Sequence, residues 1–345
     1  MSSITLPAQA HEHPQVRTLN ILRDLSTVAD LIELCFSPTM DQDGQRYLSD
    51  MRRASRDDKF LSWANHMAES TSLPLTGYVW EEHNKIIGNA SLIPFRDKGQ
   101  RIYLIANVAT HPDHRRRGIG RILTQRAIEH ARHKKTTAIW LHVRDDNPGA
   151  IKLYADLGFQ EIVRRTNWQA NPDSSFPKPA SDIQIVPRHP RFWSQQQDWL
   201  RRLYPDNLSW YQPLNLTALK PGLMNWLYML FMDFNIKQWA AVSKRDGDDL
   251  LATLTWMPYG GRTESMYGAT NPALPKEHRD DVSGVTRQGS EDEAPAEALT
   301  QLLIHVRRVL SNHVTLSLDY PAGEMTDAIL AAGFKPRRTL IWMKA

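Results

Sequence analysis

Arginine and glycine recur at fixed intervals in Arg115-x-x-Gly118-x-Gly120, between an apolar run and a helical pattern. The apolar run, residues 102–109, is short enough for a buried strand. His111-Pro112-Asp113 follows with turn chemistry, because proline fixes φ and pushes its predecessor out of the helical region. Beyond the glycines, Ile122, Leu123, Ala127, Ile128 and Ala131 recur at helical spacing. A glycine lets the backbone approach an anion closely, and a helix behind it adds the positive end of its dipole. Arg115, Arg116, Arg117, Gly118, Ile119, Gly120 and Arg121 are thus candidates for holding a pyrophosphate. The spacing is neither that of the G-x-x-x-x-G-K-[ST] loop nor that of G-x-G-x-x-G after a strand. The plainer reading is a solvated charge run or a nucleic-acid patch, extended by Arg126, Arg132, Lys134 and Lys135. That reading leaves the glycine spacing unexplained.

The spacing resembles the [QR]-x-x-G-x-[GA] signature of the GNAT acetyltransferase superfamily. Residues 140–159, W-L-H-V-R-D-D-N-P-G-A-I-K-L-Y-A-D-L-G-F, also resemble that family. Within it, residues 104–167 are most similar to the bacterial enzymes that acetylate N-terminal amines of ribosomal proteins. The resemblance implies acetyl-CoA as cosubstrate, bound by amides around residues 116–121; no metal is expected, since the single Cys35 gives no metal pattern and His11 and His13 lack further ligands. It implies that Val108, Ala109 and Thr110 pair their backbone with pantetheine, and that a bulge frees an N–H there for the thioester oxygen.

Three further side chains are singled out. Tyr154 stands where the family keeps its general acid. A phenol of pKa ~10 stays protonated at neutral pH and can protonate a departing thiolate. Ala150, Leu153, Tyr154 and Leu157 also share one helix face, so a core aromatic is the alternative. Asn147 matches a cofactor-contacting asparagine, and before Pro148 it also suits a helix cap. His142 stands where the closest-looking relatives carry a glutamate read as general base. An imidazole of pKa ~6.5 can take an ammonium proton, directly or through water. It can equally be a spectator beside Trp140 and Arg144.

The elements that must position these groups follow from pattern. Residues 16–25 suit a first strand, with Ser26 capping a helix through Cys35. Residues 41–65 suit one or two helices, and 77–80 and 85–93 a hairpin turned at Glu82-His83-Asn84. Residues 136–144 suit a strand, 148–157 a helix, and 159–168 a closing strand. At 345 residues and 41% hydrophobic composition, the chain is long enough for two domains with sizeable cores. Its one cysteine, Cys35, excludes an internal disulfide and sits in an apolar helical run as a small core residue. The net charge of +4 does not by itself argue for nucleic acid. No leader is visible, and the longest apolar stretch, residues 222–234, is too short to span a bilayer. The expectation is a cytoplasmic protein without a membrane partner.

After the proline-rich residues 171–180, read as a linker, the chain begins again. Asn84 to Gly88 aligns with Asp248 to Ala252, and Pro94-Phe95 with Pro258-Tyr259. Ala109-Thr110 aligns with Ala269-Thr270, Leu123-Thr124-Gln125 with Leu299-Thr300-Gln301, and Gly158-Phe159 with Gly333-Phe334. The fold class expected is α/β (α+β), two tandem GNAT-like domains, each a mixed, largely antiparallel twisted sheet flanked by helices. The expected organisation is a flexible N-terminus (1–14), the coenzyme-binding domain (15–170), the linker (171–180) and a degenerate copy (181–345). That copy carries a mobile insert at 273–297, lacks R-x-x-G-x-G, and has Ile329 in place of Tyr154. Trp226, Tyr228, Phe231, Phe234 and Trp239 crowd its early part, as core or as an interface.

The sequence thus points to an N-acetyltransferase acting on a small-molecule amine or a peptide N-terminus. Two alternatives stay open: a non-catalytic acetyl-CoA sensor and an acyltransferase using another acyl-CoA.

Overall fold

The computed structural model describes residues 13–40, 42–67, 71–177, 182–211, 214–222, 236–243, 249–258, 263–272, 290–310 and 314–345. The chain divides into two compact units, Met1–Ile162 with Ile341–Ala345, and Val163–Leu340.

In the first unit, β1 (Val16–Thr18) leads into α1 (Ile21–Phe36), α2 (Gln42–Ala54) and α3 (Asp58–Met67). Then come β2 (Thr76–Glu82), β3 (Lys85–Asp97), β4 (Gln100–Thr110), α4 (Ile119–His133), β5 (Ala138–Arg144) and α5 (Pro148–Asp156). The sheet runs in the order β1 to β5, and beside β5 lie Ile341–Ala345. Ile139 and Ala345 exchange both backbone hydrogen bonds. Strand β1 stops sooner than expected because Asn20, not Ser26, caps α1, its side chain accepting from the Leu22 N–H at 3.0 Å. The buried Ile21 and Leu25, read as strand residues, instead join Val28, Ala29 and Ile32 on the inner face of that helix. The β2–β3 hairpin turns at His83 and Asn84, whose φ values of 49° and 59° match the two left-handed positions of a type I′ turn.

The second unit takes β6 (Gln160–Ala170) from Val163 onward, then β7 (Ile183–Pro187), α6 (Trp193–Leu203) and α7 (Leu216–Leu219). Strands β8 (Lys237–Ser243), β9 (Leu250–Met257) and β10 (Thr263–Thr270) follow. Helix α8 (Ser290–Val309), β11 (Thr315–Pro321), α9 (Thr326–Ala331) and β12 (Lys335–Lys344) complete it as far as Leu340. Here the order is β7-β8-β9-β10-β11-β6. The closing strand of the first repeat thus serves the second unit, and the end of β12 serves the first.

Matched hydrogen bonds establish the repeat. The His111 N–H donates to the Ile87 carbonyl (2.8 Å), as Asn271 does to Leu251 (2.9 Å). Thr124 Oγ1 donates to the Gly120 carbonyl (2.7 Å), as Thr300 does to Ala296 (3.0 Å). The Phe159 N–H donates to the Tyr154 carbonyl (3.0 Å), as Phe334 does to Ile329 (3.2 Å).

Two expectations change. Of the supposed mobile insert, residues 290–297 form the start of α8, while 273–289 lie outside the described residues. Low hydrophobicity does not by itself separate a loop from the start of a helix there. The supposed linker is docked within its unit as far as residue 177. The Asp173 N–H donates to the Arg307 carbonyl (2.7 Å), and the Arg307 guanidinium lies 4.4 Å from the Phe176 ring. Of the crowded aromatics, only Trp239 lies within the described residues, and it packs against the unit's own core.

Candidate active site

Strand β4 pairs with β3 in antiparallel fashion, but the register slips by one residue at Asn107 and Val108. Asn89 faces Ala109 and Ser91 faces Ala106, so β4 carries one residue too many, a β-bulge. Asn107 absorbs it with φ of 52°, a left-handed conformation that asparagine tolerates better than most residues. Its carbonyl accepts from Asn89 Nδ2 at 2.9 Å and so faces β3. A trans peptide points its C=O and the following N–H in opposite directions. The Val108 N–H therefore points away from Asn89 Nδ2, and β5 is the other neighbour of β4. On that side, the parallel pairing of β4 with β5 runs from Ile102–Ala138 to Ile105–Leu141 and ends there. The two strands part beside this bulge.

After β4 the chain makes a 3-10 turn at Pro112–His114 and reaches the glycine loop. Arg116 (φ 66°) and Gly118 (φ 79°) are left-handed, and no heavy atom lies within 4 Å of where a Gly118 Cβ would stand. Gly118 is the N-cap of α4, so the first-turn amides have no intrahelical acceptors and face an open approach. Ile119 and Leu123 fix this helix start by packing with Trp80, Ile87 and Ala90. Two such buried side chains contribute about 1.5–3 kcal/mol each, against about 1 kcal/mol for a glycine within the first turn.

The arginines divide into groups. Arg117 is engaged by Glu82, Nη2 to Oε1 at 2.7 Å and Nη1 to Oε2 at 3.1 Å. That guanidinium, with the Trp80 indole N–H, holds the Glu82 carboxyl below its ordinary range. Arg121 reaches Asp156 at 2.9 Å. Arg115 approaches the Thr110 carbonyl at 3.4 Å, and Arg116 is exposed. An anion at this loop is served chiefly by amides.

Tyr154 is 7% exposed, set among Ile139, Leu141 and Val143 of β5, with Phe159 6.2 Å away ring to ring. Burial pushes its phenol well above the usual value. Among the described residues, its hydroxyl has no hydrogen-bond partner. The ring is part of the core, and burial keeps the phenol protonated. Asn147 caps α5, its Oδ1 accepting from the Ala150 N–H at 3.1 Å, which leaves its amide N–H groups as donors. His142 alternates with Leu141 and Val143 and so lies on the opposite face of β5 from Tyr154. There its ring is 4.9 Å from that of Trp342. Cys35 is not a core residue. It is half-buried near the end of α1, with Sγ 3.2 Å from the Thr110 carbonyl, and burial pushes its thiol up.

Sequence reasoning missed Tyr47 and Asn89. Tyr47 on α2 accepts from Asn107 Nδ2 at 2.8 Å, and burial, opposed by that bond, pushes its phenol up to about 12. Asn89 is fully buried. A polar residue inside the apolar run 86–93 was the available signal.

Among its described residues, the second unit keeps the strand divergence and lacks the rest. Parallel pairing of β10 with β11 ends at Met266–Leu318, but β10 pairs with β9 without a bulge. Helix α8 replaces the glycine loop, and Pro295, one residue before the counterpart of Gly120, has no N–H to offer. Asp319, the counterpart of His142, is paired with Arg165, whose Nη1 donates to the Leu203 carbonyl at 2.7 Å. Among the described residues, no group of three or more His, Cys, Asp or Glu side chains is placed to hold a metal ion, and no helix is long and apolar enough to cross a membrane.

Residues 37–159 match the acetyltransferase (GNAT) family. The [ribosomal protein bS18]-alanine N-acetyltransferase of Escherichia coli (strain K12) is 39% identical over 67 residues, which are 19% of this chain and 45% of that protein. The mycothiol acetyltransferase of Thermobispora bispora is 29% identical over 160 residues, 45% of this chain and 50% of its own length. The matched part therefore spans about half or less of these relatives. A solved GCN5-related N-acetyltransferase from Sphaerobacter thermophilus aligns with 99% of this chain and 96% of its own, at 15% identity and a TM-score of 0.52. The resemblance drawn from residues 107–120 and 140–159 is borne out, and so is the fold.

Proposed function

We propose, for a chain whose residues 37–159 match the GNAT acetyltransferases, that its first unit moves the acetyl group of acetyl-CoA to a primary amine. The observation that carries this reading is the bulge at Asn107 beside the divergence of β4 from β5, followed at once by the open glycine loop. In this reading the amides at the start of α4 bind the pyrophosphate, and Val108, Ala109 and Thr110 align the pantetheine. The Val108 N–H stabilises charge developing on the thioester oxygen.

Transfer is direct, within a ternary complex. The amine nitrogen attacks the thioester carbon, a C–N bond forms and the C–S bond breaks. The amine gives a proton to His142, directly or through water, and Tyr154 gives its proton to the departing sulfur. Solvent then carries the proton from the imidazolium back to the phenolate. The opposite placement of His142 and Tyr154 suits this division, with the acceptor on one face of β5 and the thiol on the other. The second unit, in whose described residues the bulge, glycine loop and acid are absent, performs no transfer.

The acceptor is a small amine or a peptide N-terminus. Histidine in place of the relatives' glutamate separates this pocket from that of the ribosomal-protein enzymes. The experiment is thiol release from acetyl-CoA across a panel of amines and N-terminal peptides, with calorimetry of acetyl-CoA alone. Binding with no turnover on any acceptor favours a sensor, and stronger turnover with longer acyl-CoA favours another donor. Absence of binding defeats the reading.

A further inference from the structure

The bulge that aims the Val108 N–H is held at both ends of a single residue. On one side, Asn89 Nδ2 binds the Asn107 carbonyl at 2.9 Å and also reaches Ser91 Oγ at 3.1 Å. On the other, the Asn107 side chain donates to the Tyr47 hydroxyl at 2.8 Å. Asn89 belongs to β3, a neighbouring strand in the same sheet. Tyr47 belongs to α2, which packs with α1 in a separate cluster containing Leu48 and Met51. The two clamps therefore come from different layers of the unit.

Their physical roles differ. The Asn89 bond sets the direction of the 107–108 peptide plane, because a planar trans peptide cannot turn its carbonyl without turning the next N–H. The Tyr47 bond holds the side chain of a residue in the left-handed region, where an extended alternative lies within ~1–2 kcal/mol. With the hydroxyl gone, Asn107 keeps its carbonyl bond but loses what fixes its side chain, and the plane gains freedom to rock. An oxyanion donor is effective only when its direction is set before charge develops.

We propose that Tyr47 is a positioning residue for acetyl transfer: through Asn107 it fixes the bulge of β4, tying helix α2 to polarisation of the thioester. This rests on the acetyl-CoA reading given above. Tyr47 touches neither reacting atom and acts through Asn107 alone. Its own phenol takes no part as acid or base, so removing the hydroxyl leaves the shape of the pH profile intact.

The test uses the full chain and acetyl-CoA carrying 13C at the thioester carbonyl, observed by isotope-edited infrared spectroscopy. Wild-type protein lowers the carbonyl stretch of bound acetyl-CoA relative to free. Tyr47→Phe returns it at least halfway, with coenzyme Kd within twofold. With the best amine of the panel, kcat falls about tenfold, part of the loss expected for removing an oxyanion donor outright. Asn107→Gly keeps left-handed freedom without the side chain and behaves alike. The double variant is no worse than either single one, because both remove the same bond. A wild-type carbonyl stretch and kcat in folded Tyr47→Phe and Asn107→Gly overturn the assignment, as do losses that multiply in the double variant. If Tyr47→Phe fails to fold, Asn107→Gly alone decides. A wild-type protein that binds no acetyl-CoA removes the underlying reading as well, and calorimetry shows this before any spectrum is taken.

Discussion

Trp342 lies with its ring 4.9 Å from that of His142, although two hundred residues of chain separate them (342 − 142). The indole comes from the segment Ile341–Ala345, which belongs to the first unit. On the same strand, Ile341 and Met343 turn the other way and join the cluster around Tyr154. One short segment thus backs both proposed proton carriers. If His142 is the base, His142→Gln lowers kcat/KM by ~10²-fold or more, and the deficit narrows at alkaline pH as the acceptor amine sheds its own proton. Trp342→Leu lowers it less and keeps the shape of the profile. A pH–rate profile for His142→Gln that superimposes on wild type returns the imidazole to a spectator.

Tyr154→Phe separates acid from core residue. The ring stays and a hydroxyl without a partner among the described residues goes, so the thermal midpoint moves little or rises. If the phenol is the acid, kcat falls ~10²–10⁴-fold with acetyl-CoA affinity nearly unchanged. Stopped-flow thiol release alongside calorimetry reads both quantities. Unchanged turnover when chemistry is rate-limiting would leave Tyr154 with packing alone.

Coenzyme stoichiometry and the loop are checked together. Titration calorimetry gives one acetyl-CoA per chain, because among the described residues only the first unit has both the bulge and the glycine loop. A Cβ at Gly120 meets Thr110 Oγ1 at 3.7 Å and a Leu153 methyl at 3.8 Å, ordinary contacts that a small side chain accepts. Gly120→Leu therefore folds, and its longer side chain weakens acetyl-CoA binding by ~100-fold or more, as expected for losing charge-assisted amide bonds. Two equivalent sites per chain would contradict the assignment of chemistry to one copy.

Alkaline pH destabilises the fold in a defined window. Burial raises the Tyr47 phenol from 10.0 to about 12, and Tyr154 and Tyr204 are also raised by burial. A raised folded-state pKa means that the unfolded chain loses the proton first. Stability is therefore complete below the unfolded value near 10 and falls as pH climbs toward 12 and beyond. Denaturant midpoints between pH 8 and 12, followed with tyrosinate absorbance, test this. Early ionisation of all the tyrosines without loss of structure would count against it.

The division of the chain also governs what can be cut. A fragment ending at Ile162 lacks Ile341–Ala345, so β5 loses the neighbour that bonds Ile139 and covers His142 and the Tyr154 cluster. It is expected to melt without cooperativity and to bind acetyl-CoA poorly. A peptide of residues 335–345 added in trans restores part of both, read by circular dichroism and calorimetry. Full stability of the bare fragment would show that this segment is dispensable.

The glycine spacing, the apolar run before it and the helical period after it made the loop legible, because each is local chemistry. The repeat was legible through short matches such as Thr124 with Thr300, whose hydrogen bonds coincide. Left unread were relations between distant residues. Nothing near Tyr47 announces its bond to Asn107, and nothing near Trp342 announces His142. The start of α1 was misread because Ile21 and Leu25 suit a strand as well as a helix until Asn20 is seen to cap. Residues 290–297 open α8 although their polarity reads as loop, because polarity alone does not separate a loop from a helix's first turn.

The exchange of closing strands bears on the order of events at the ribosome. Residues 1–162 emerge first, with the glycine loop, the bulge and Tyr154 already made, yet the strand beside β5 is translated only after the whole of Val163–Leu340. At ~5–20 residues per second, that is roughly ten to forty seconds during which the β5 edge stands open. An open edge is a template for wrong pairing, and the nascent β6, next in the chain, is the nearest strand able to occupy it. The first unit must therefore leave that edge free until its proper neighbour arrives, which couples appearance of the proposed activity to synthesis of the entire second repeat.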